Sequence, residues 1–159
     1  MSGSWNDQDL PNLDNSNHRI TSPVTSRYNC IAWAAEDDHL WWWPDPLNTC
    51  YWPPNVSRET TLEAFIQAYS QLGYEVCDDG NLEDQFEKIT IYTTRKFGIK
   101  EPTHAARQLP NGKWTSKLGP QEDIEHSAPE SVNGPVYGSP EVYMRRPLDL
   151  NEKVHNSED

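Results

Sequence analysis

Basic residues are scarce in this chain. Against 25 Asp and Glu there are 13 Lys and Arg in 159 residues, a formal net charge of -12. Such a balance repels a phosphate backbone, and no stripe of Lys and Arg is present to neutralise one, which sets nucleic acid aside as a partner. Long apolar runs are missing as well: none approaches the roughly 20 residues that span a bilayer, and the first residues lack the charged-then-apolar pattern of a secretion signal. Cysteine numbers only three, an odd count that suits reduced thiols better than a disulfide framework. These absences point to a cytoplasmic protein with no membrane partner. The hydrophobic fraction is 35%, but seven Trp and seven Tyr supply large rigid rings, so an aromatic core is expected.

The length fits one domain. Residues 1–25 are rich in Ser, Asn, Asp and Pro and read as a flexible or draping arm, while residues 148–159 are polar and end acidic, as a disordered tail does. Between them, residues 26–147 carry the domain. "NCIAWAA" predicts a short helix, with Asn29 as N-cap, Ile31, Ala34 and Ala35 on one side, and Asp37 and Asp38 at its end. The proline-rich "WWWPDPLNTCYWPPNV" must be an ordered aromatic loop. "TTLEAFIQAYSQLG" predicts a second helix, with Thr60 and Glu63 as a capping box, an apolar face of Leu62, Phe65, Ile66, Tyr69 and Leu72, and Gly73 as stop.

Beyond Gly73 the period falls to two. "YEVC", "FEKITIYTT" and "EVYMRR" alternate as half-buried strands do, and "THAARQLPNGKWTSKLG" holds Asn-Gly between two strand-like runs. With Asn111 and Gly112 as a two-residue turn, Leu109 faces Trp114, Ala105 faces Leu118 and His104 opens the hairpin near Gly119. Thr115 and Lys117 then share the face of His104 and Gln108. Helices first and antiparallel strands after them predict an α+β fold.

Chemistry centres on Cys30. A thiol in the first turn of a helix has its thiolate stabilised by the helix dipole and free N–H groups, and a histidine from elsewhere in the chain can act as its base. His104, held rigidly just after Pro102, is the expected base; Asp123, from the acidic "GPQEDIEH", is a tentative third catalytic group. Asn29, Trp42, Trp43, Gln108 and Lys117 are expected to line the cleft. The plain alternative for Cys30 is a small buried hydrophobe, and "GPQEDIEH" reads equally as a solvated loop or short helix. Cys50 and Cys77 read as structural. No spacing of His and Cys suits a metal, and no phosphate-cradling glycine loop or Gly-x-Ser-x-Gly elbow is present, so neither metal nor cofactor is expected.

The blocks "YNCIAWA", "THAARQLPNGKWTSKLGPQEDIEH" and "GPVYGSPEVYMRRP" resemble a family of small, uncharacterised bacterial domains over most of residues 26–147. More loosely, a Cys that opens a helix followed by a His that opens a hairpin strand is similar to the papain-like hydrolases, including CHAP amidases and NlpC/P60 peptidases. That likeness implies a papain-like fold, N-terminal helices packed on a small antiparallel sheet, with Cys30 as nucleophile and His104 as general base. Those families place an acidic or polar group on the strand after the His, where this chain has Ser116 and Lys117.

Two functions follow from these readings. One is a thiol-dependent peptidase or amidase, acting on a peptide or protein through an acyl-enzyme on Cys30. The other is a catalytically inactive interaction module whose contact surface is the aromatic loop, residues 41–52. Neither reading sets an oligomeric state.

Overall fold

The alternation of "FEKITIYTT" extends further in the fold than in the sequence pattern. In the computed structural model, which describes residues 3–148, it forms part of an eleven-residue strand in the interior of a seven-stranded sheet. In chain order the elements are β1 (His18–Ser22), α1 (Cys30–Ala34), α2 (Leu62–Ser70), β2 (Glu75–Cys77), β3 (Phe86–Lys96), β4 (Ile99–Gln108), β5 (Trp114–Lys117), β6 (Asp123–His126), a 3-10 turn (Pro129–Val132) and β7 (Ser139–Pro147). The strands lie in the order β1-β6-β5-β4-β3-β7-β2, and every pair is antiparallel.

The sheet is covered on both faces. On one face α1 and α2 bring Ile31, Ala34, Phe65 and Tyr69 against Ile89, Ile91, Ala105 and Met144. On the other, the N-terminal residues and the 3-10 turn bring Trp5, Leu10 and Val132 against Tyr92, Ala106, Trp114 and Ile124. Two-sided cover explains why residues 87–93 of β3 are buried without a break. Each fully buried Ile or Phe contributes roughly 2 kcal/mol at about 25 cal/mol per Å².

This architecture corrects the α+β, papain-like expectation: the fold is β-rich, with only two short α-helices among the described residues. "CIAWA" makes five residues of helix and stops, because Glu36 follows at φ 64 and Asp37 turns its amide back to the Ala32 carbonyl. Strands arose where polar composition hid them. β1 comes from the expected arm, at the sheet edge with alternate residues exposed, and β6 comes from the acidic "DIEH", whose four side chains are all buried. Within residues 3–25, His18–Ser22 thus join the sheet, and Trp5 and Leu10 join the core on its far face. Of the expected tail, only Leu148 lies within the described residues.

The helices are capped much as their sequences suggest. Asn29 accepts from the Ala32 amide at 3.1 Å, and at α2 the cap falls on Thr61, one residue past Thr60. Gly73, at φ 97, then turns the chain out of α2.

The hairpin between β4 and β5 has a different register from the one expected. Its loop is three residues, Pro110 to Gly112: the Leu109 amide donates to the Lys113 carbonyl at 2.7 Å, and the Gly112 amide to the Leu109 carbonyl at 2.9 Å. Gly112, at φ 88, supplies the left-handed residue that closes such a loop. Arg107 therefore faces Thr115, and Gln108 faces Trp114. A shift of one residue moves a side chain to the other face of the sheet. Thr115 and Lys117 accordingly lie on the helix side, while His104, Gln108 and Ser116 lie beneath the N-terminal side.

If the N-terminal residues belong to the core, Trp5→Ala should lower unfolding free energy by about 3 kcal/mol, as truncation of a buried ring does. A urea midpoint unchanged by this substitution would show instead that the segment only rests on the sheet.

Candidate functional site

Cys30 sits at the start of α1 with only 6% of its surface exposed, among Tyr69, Ala105 and the rest of the helix-side core. Burial pushes its thiol up to about 11. The N–H groups of Ala105, Ile31 and Cys30 itself, and the charge of Lys117, offset that only in part. A thiol at that value is ionised at pH 7 to the extent of about one molecule in ten thousand. The helix-start position that favours a thiolate is therefore outweighed by the absence of water.

His104 lies on the opposite face. Its ring stacks on Tyr137 with centroids 4.0 Å apart, and Tyr92 meets it edge-on at 4.9 Å. No hydrogen bond joins it to Cys30: Nε2 is 3.0 Å from Ser116 Oγ, and Nδ1 is buried without a partner. Ser116 Oγ is also 2.8 Å from His126 Nε2, and His126 Nδ1 is 2.7 Å from the Ala128 carbonyl. The proton order follows from that carbonyl, which can only accept. His126 must carry its hydrogen on Nδ1, so its Nε2 accepts from the Ser116 hydroxyl, and Ser116 in turn accepts from His104 Nε2–H. All three groups are neutral in this arrangement. Burial holds both rings well below the usual imidazole value, His126 at about 4, and His126 lowers His104 further.

Lys117 and Asp123 are brought together with Tyr28, away from His104. They are directly opposed on β5 and β6. The Lys117 ammonium donates to the carbonyls of Thr25 and Gly119 at 2.7 Å and to that of Gln121, and lies 5.1 Å over the Tyr28 ring. All three of its protons are thus used within the fold. Burial depresses its pKa, and Asp123 opposes that. Tyr28 donates to Asp123 Oδ2 at 2.6 Å, and burial followed by this carboxylate raises the phenol. Asp123 does not orient the His104 ring; its other oxygen, Oδ1, is buried without a partner. Gln108 fastens the loop before β3 to the far face, donating to the Gly80 carbonyl at 2.8 Å.

Asn29 and the tryptophans belong to one unit. The Asn29 amide caps α1, accepts from the Trp42 amide at 3.1 Å and donates to the Trp42 carbonyl at 2.7 Å. Trp42 is buried, with its indole N–H on Asp37 at 2.8 Å, and half-buried Trp43 packs edge-on against Phe65. Farther along, Asp45 accepts from Thr49 and Cys50, and Arg58 binds both Asp45 and the Cys50 carbonyl. The Thr49 hydroxyl leads these contacts in holding the Asp45 carboxyl well below the usual range. Leu47, Leu40 and Tyr51 project from this pinned loop, 82%, 45% and 39% exposed.

Sequence reasoning missed Ser116, His126 and Tyr137 as companions of His104, and Tyr28 as the partner of Asp123. A signal for the first group existed: Gly112 permits a three-residue loop as readily as Asn111-Gly112 permits a two-residue one. Two surface clefts, one of about 410 Å³ beside Trp5, Leu10 and His18 and one of about 370 Å³ between Thr94, Lys100 and Gly138, are lined by neither Cys30 nor His104. Among the described residues no cluster of three or more His, Cys, Asp or Glu is placed to hold a metal, and no helix is long and apolar enough to cross a membrane.

Iodoacetamide at neutral pH should label Cys30 about a hundredfold more slowly than a free cysteine thiol, given a rise from 9.0 to about 11. Mass spectrometry of the modified peptides measures this; Cys30 reacting ahead of half-buried Cys50 would contradict it.

The histidine chain makes a second prediction. Above about pH 6.5 both rings are neutral in folded and unfolded chains and contribute nothing to pH dependence. Below it the unfolded chain takes up a proton at each ring that the folded chain refuses, at His126 down to about pH 4, so each ring makes stability fall by about 1.4 kcal/mol per unit of acidification. Urea midpoints at pH 7 and pH 5 measure the combined slope, and His126→Gln should remove the share that His126 contributes.

A family model described as a domain of unknown function, DUF7689, matches residues 19–145. No curated protein and no solved structure matches the chain, so the papain-like resemblance gains no support there. The match begins inside β1 and ends inside β7, spanning the sheet and the segments that carry Cys30, His104 and the aromatic loop. The chain belongs to this DUF7689 family.

Proposed function

We propose that the protein is a non-catalytic binding module that presents the aromatic loop, residues 40–52, to a polypeptide partner. One observation carries this reading: Leu40, Leu47 and Tyr51 are exposed beside half-buried Trp41 and Trp43, on a loop whose backbone is already fixed. The Tyr51 amide donates to the Trp41 carbonyl at 3.0 Å and the Trp43 amide to the Tyr51 carbonyl at 2.9 Å, so the two arms of the loop hold each other. A surface ordered in advance loses little entropy on binding, and Trp and Tyr are the residues on which interface energy concentrates. From Glu36 to Ser57 the chain has no Lys or Arg, which suits a partner with basic residues beside an apolar anchor.

The thiol-hydrolase reading draws less support from the geometry. It requires an ionised, accessible Cys30 and a base beside it, whereas the thiol is buried with a raised pKa and His104 is engaged with Ser116 on the other face.

A displayed library of random peptides, selected on the immobilised protein, tests the module. Selected peptides should carry an aromatic or aliphatic anchor near Lys or Arg, and Leu47→Ser with Tyr51→Ser should weaken them at least about tenfold, while Leu47→Ser alone, at a side chain 82% exposed, leaves the melting temperature unchanged. Recovery of no peptide, or of peptides indifferent to both substitutions, would overturn the reading.

A further inference from the structure

A second exposed apolar element has a charge opposite to that of the aromatic loop. β3 and β4 run on past their neighbours: β7 pairs with β3 only as far as Thr93, opposite Ser139, so residues 94–101 form a two-stranded finger. Its last pair is Lys96 with Ile99, and Phe97 and Gly98 make the turn with φ of 52 and 79. Positive φ at both positions defines the turn that favours Asn-Gly. Phe97 is therefore unusual in two independent ways. Its backbone is left-handed, a conformation a bulky side chain adopts only with strain, and its ring is fully exposed at the tip, with Ile99 beside it at 69%.

The finger is also where basic charge gathers. Arg95, Lys96 and Lys100 are three of the 13 basic residues of a chain whose net charge is -12. Their contacts are surface ones: Arg95 to the Gly98 carbonyl at 3.3 Å, Lys96 to Glu101 at 3.6 Å and Lys100 to Glu141 at 2.7 Å. Exposed pairs of this kind exchange readily for others. The aromatic loop has the complementary character, apolar at Leu40, Leu47 and Tyr51, with exposed Asp38 two residues before Leu40 and exposed Glu59 and Glu63 following the loop in the chain.

We infer that the occupant of the aromatic loop is the finger of a second copy of this chain, with Phe97 and Ile99 on Leu47 and Tyr51 and the basic side chains on the acidic rim. This inference rests on the binding-module reading and names its partner. The contact joins two different surfaces, so each copy offers one finger and one loop, and association is head-to-tail.

Sedimentation equilibrium of the full chain from about 10 µM to about 1 mM tests it, since contacts of this modest size give micromolar affinities or weaker. Wild type should self-associate within that range. Phe97→Asn should weaken association at least about tenfold while leaving the melting temperature equal or higher, because Asn-Gly suits the turn better than Phe-Gly. Leu47→Ser with Tyr51→Ser should weaken it equally. An equimolar mixture of the two variants should regain association, because one supplies an intact loop and the other an intact finger. A wild type monomeric throughout, association indifferent to Phe97→Asn, or a mixture that stays monomeric would each overturn the inference. So would Phe97-dependent binding to phosphatidylserine vesicles by a chain that does not self-associate, which would assign the finger to an anionic membrane. If the chain is monomeric but displayed peptides still bind through Leu47 and Tyr51, the inference fails and the binding module stands; if those peptides are lost too, both fail.

Discussion

The pairing of Leu109 with Lys113 decides which way the chemistry of this protein faces. A left-handed Gly112 lets the chain reverse in three residues, and that count sets which side chains of β5 share a face with those of β4. With two residues in the turn, Lys117 would lie beside His104. With three, Lys117 joins Tyr28 and Asp123 under the helices, and His104 joins Ser116 and His126 under the N-terminal segment. The sheet then separates the thiol from the imidazole.

Each polar group is accommodated differently on its side. Lys117 keeps its charge by giving every proton to a carbonyl, and Asp123 rests on a phenol. The histidines instead give up charge, passing hydrogens one way along the chain to Ala128. Both solutions favour this register over a slipped one, because a slip would strand an ammonium or an imidazole in an apolar core. The buried polar groups thus act as markers of correct strand alignment.

Much of the local structure was legible in the sequence. Asn29 as a cap, "LEAFIQAYS" as a helix stopped by Gly73, and strands at "FEKITIYTT" and "EVYMRR" all have their counterparts in the fold, although the first of these strands is buried on both faces and not half-buried. The balance of strand to helix was not. "HRITS" has no apolar face because it is an edge strand, and "DIEH" looks solvated although its carboxylates are buried, Asp123 accepting from Tyr28 through one oxygen and Glu125 from Arg19 at the sheet edge. Periodicity detects burial of apolar groups and misses burial of paired polar ones. The candidate site failed to be legible because Cys30 and His104 were each positioned along the chain as anticipated, but α1 packs on the face of β4 that carries Ala105, and His104, one residue earlier, points to the other.

The Asn29 side chain, described above as a cap and a tether, has a consequence for motion. One amide group holds the first turn of α1 and both backbone polar groups of Trp42, so the aromatic loop cannot lift without uncapping the helix that packs on β4. Loop and helix thereby form a single cooperative unit that opens as one. Mobility at this surface is set by the core it covers, and whatever settles on Leu47 and Tyr51 also steadies the packing around Cys30.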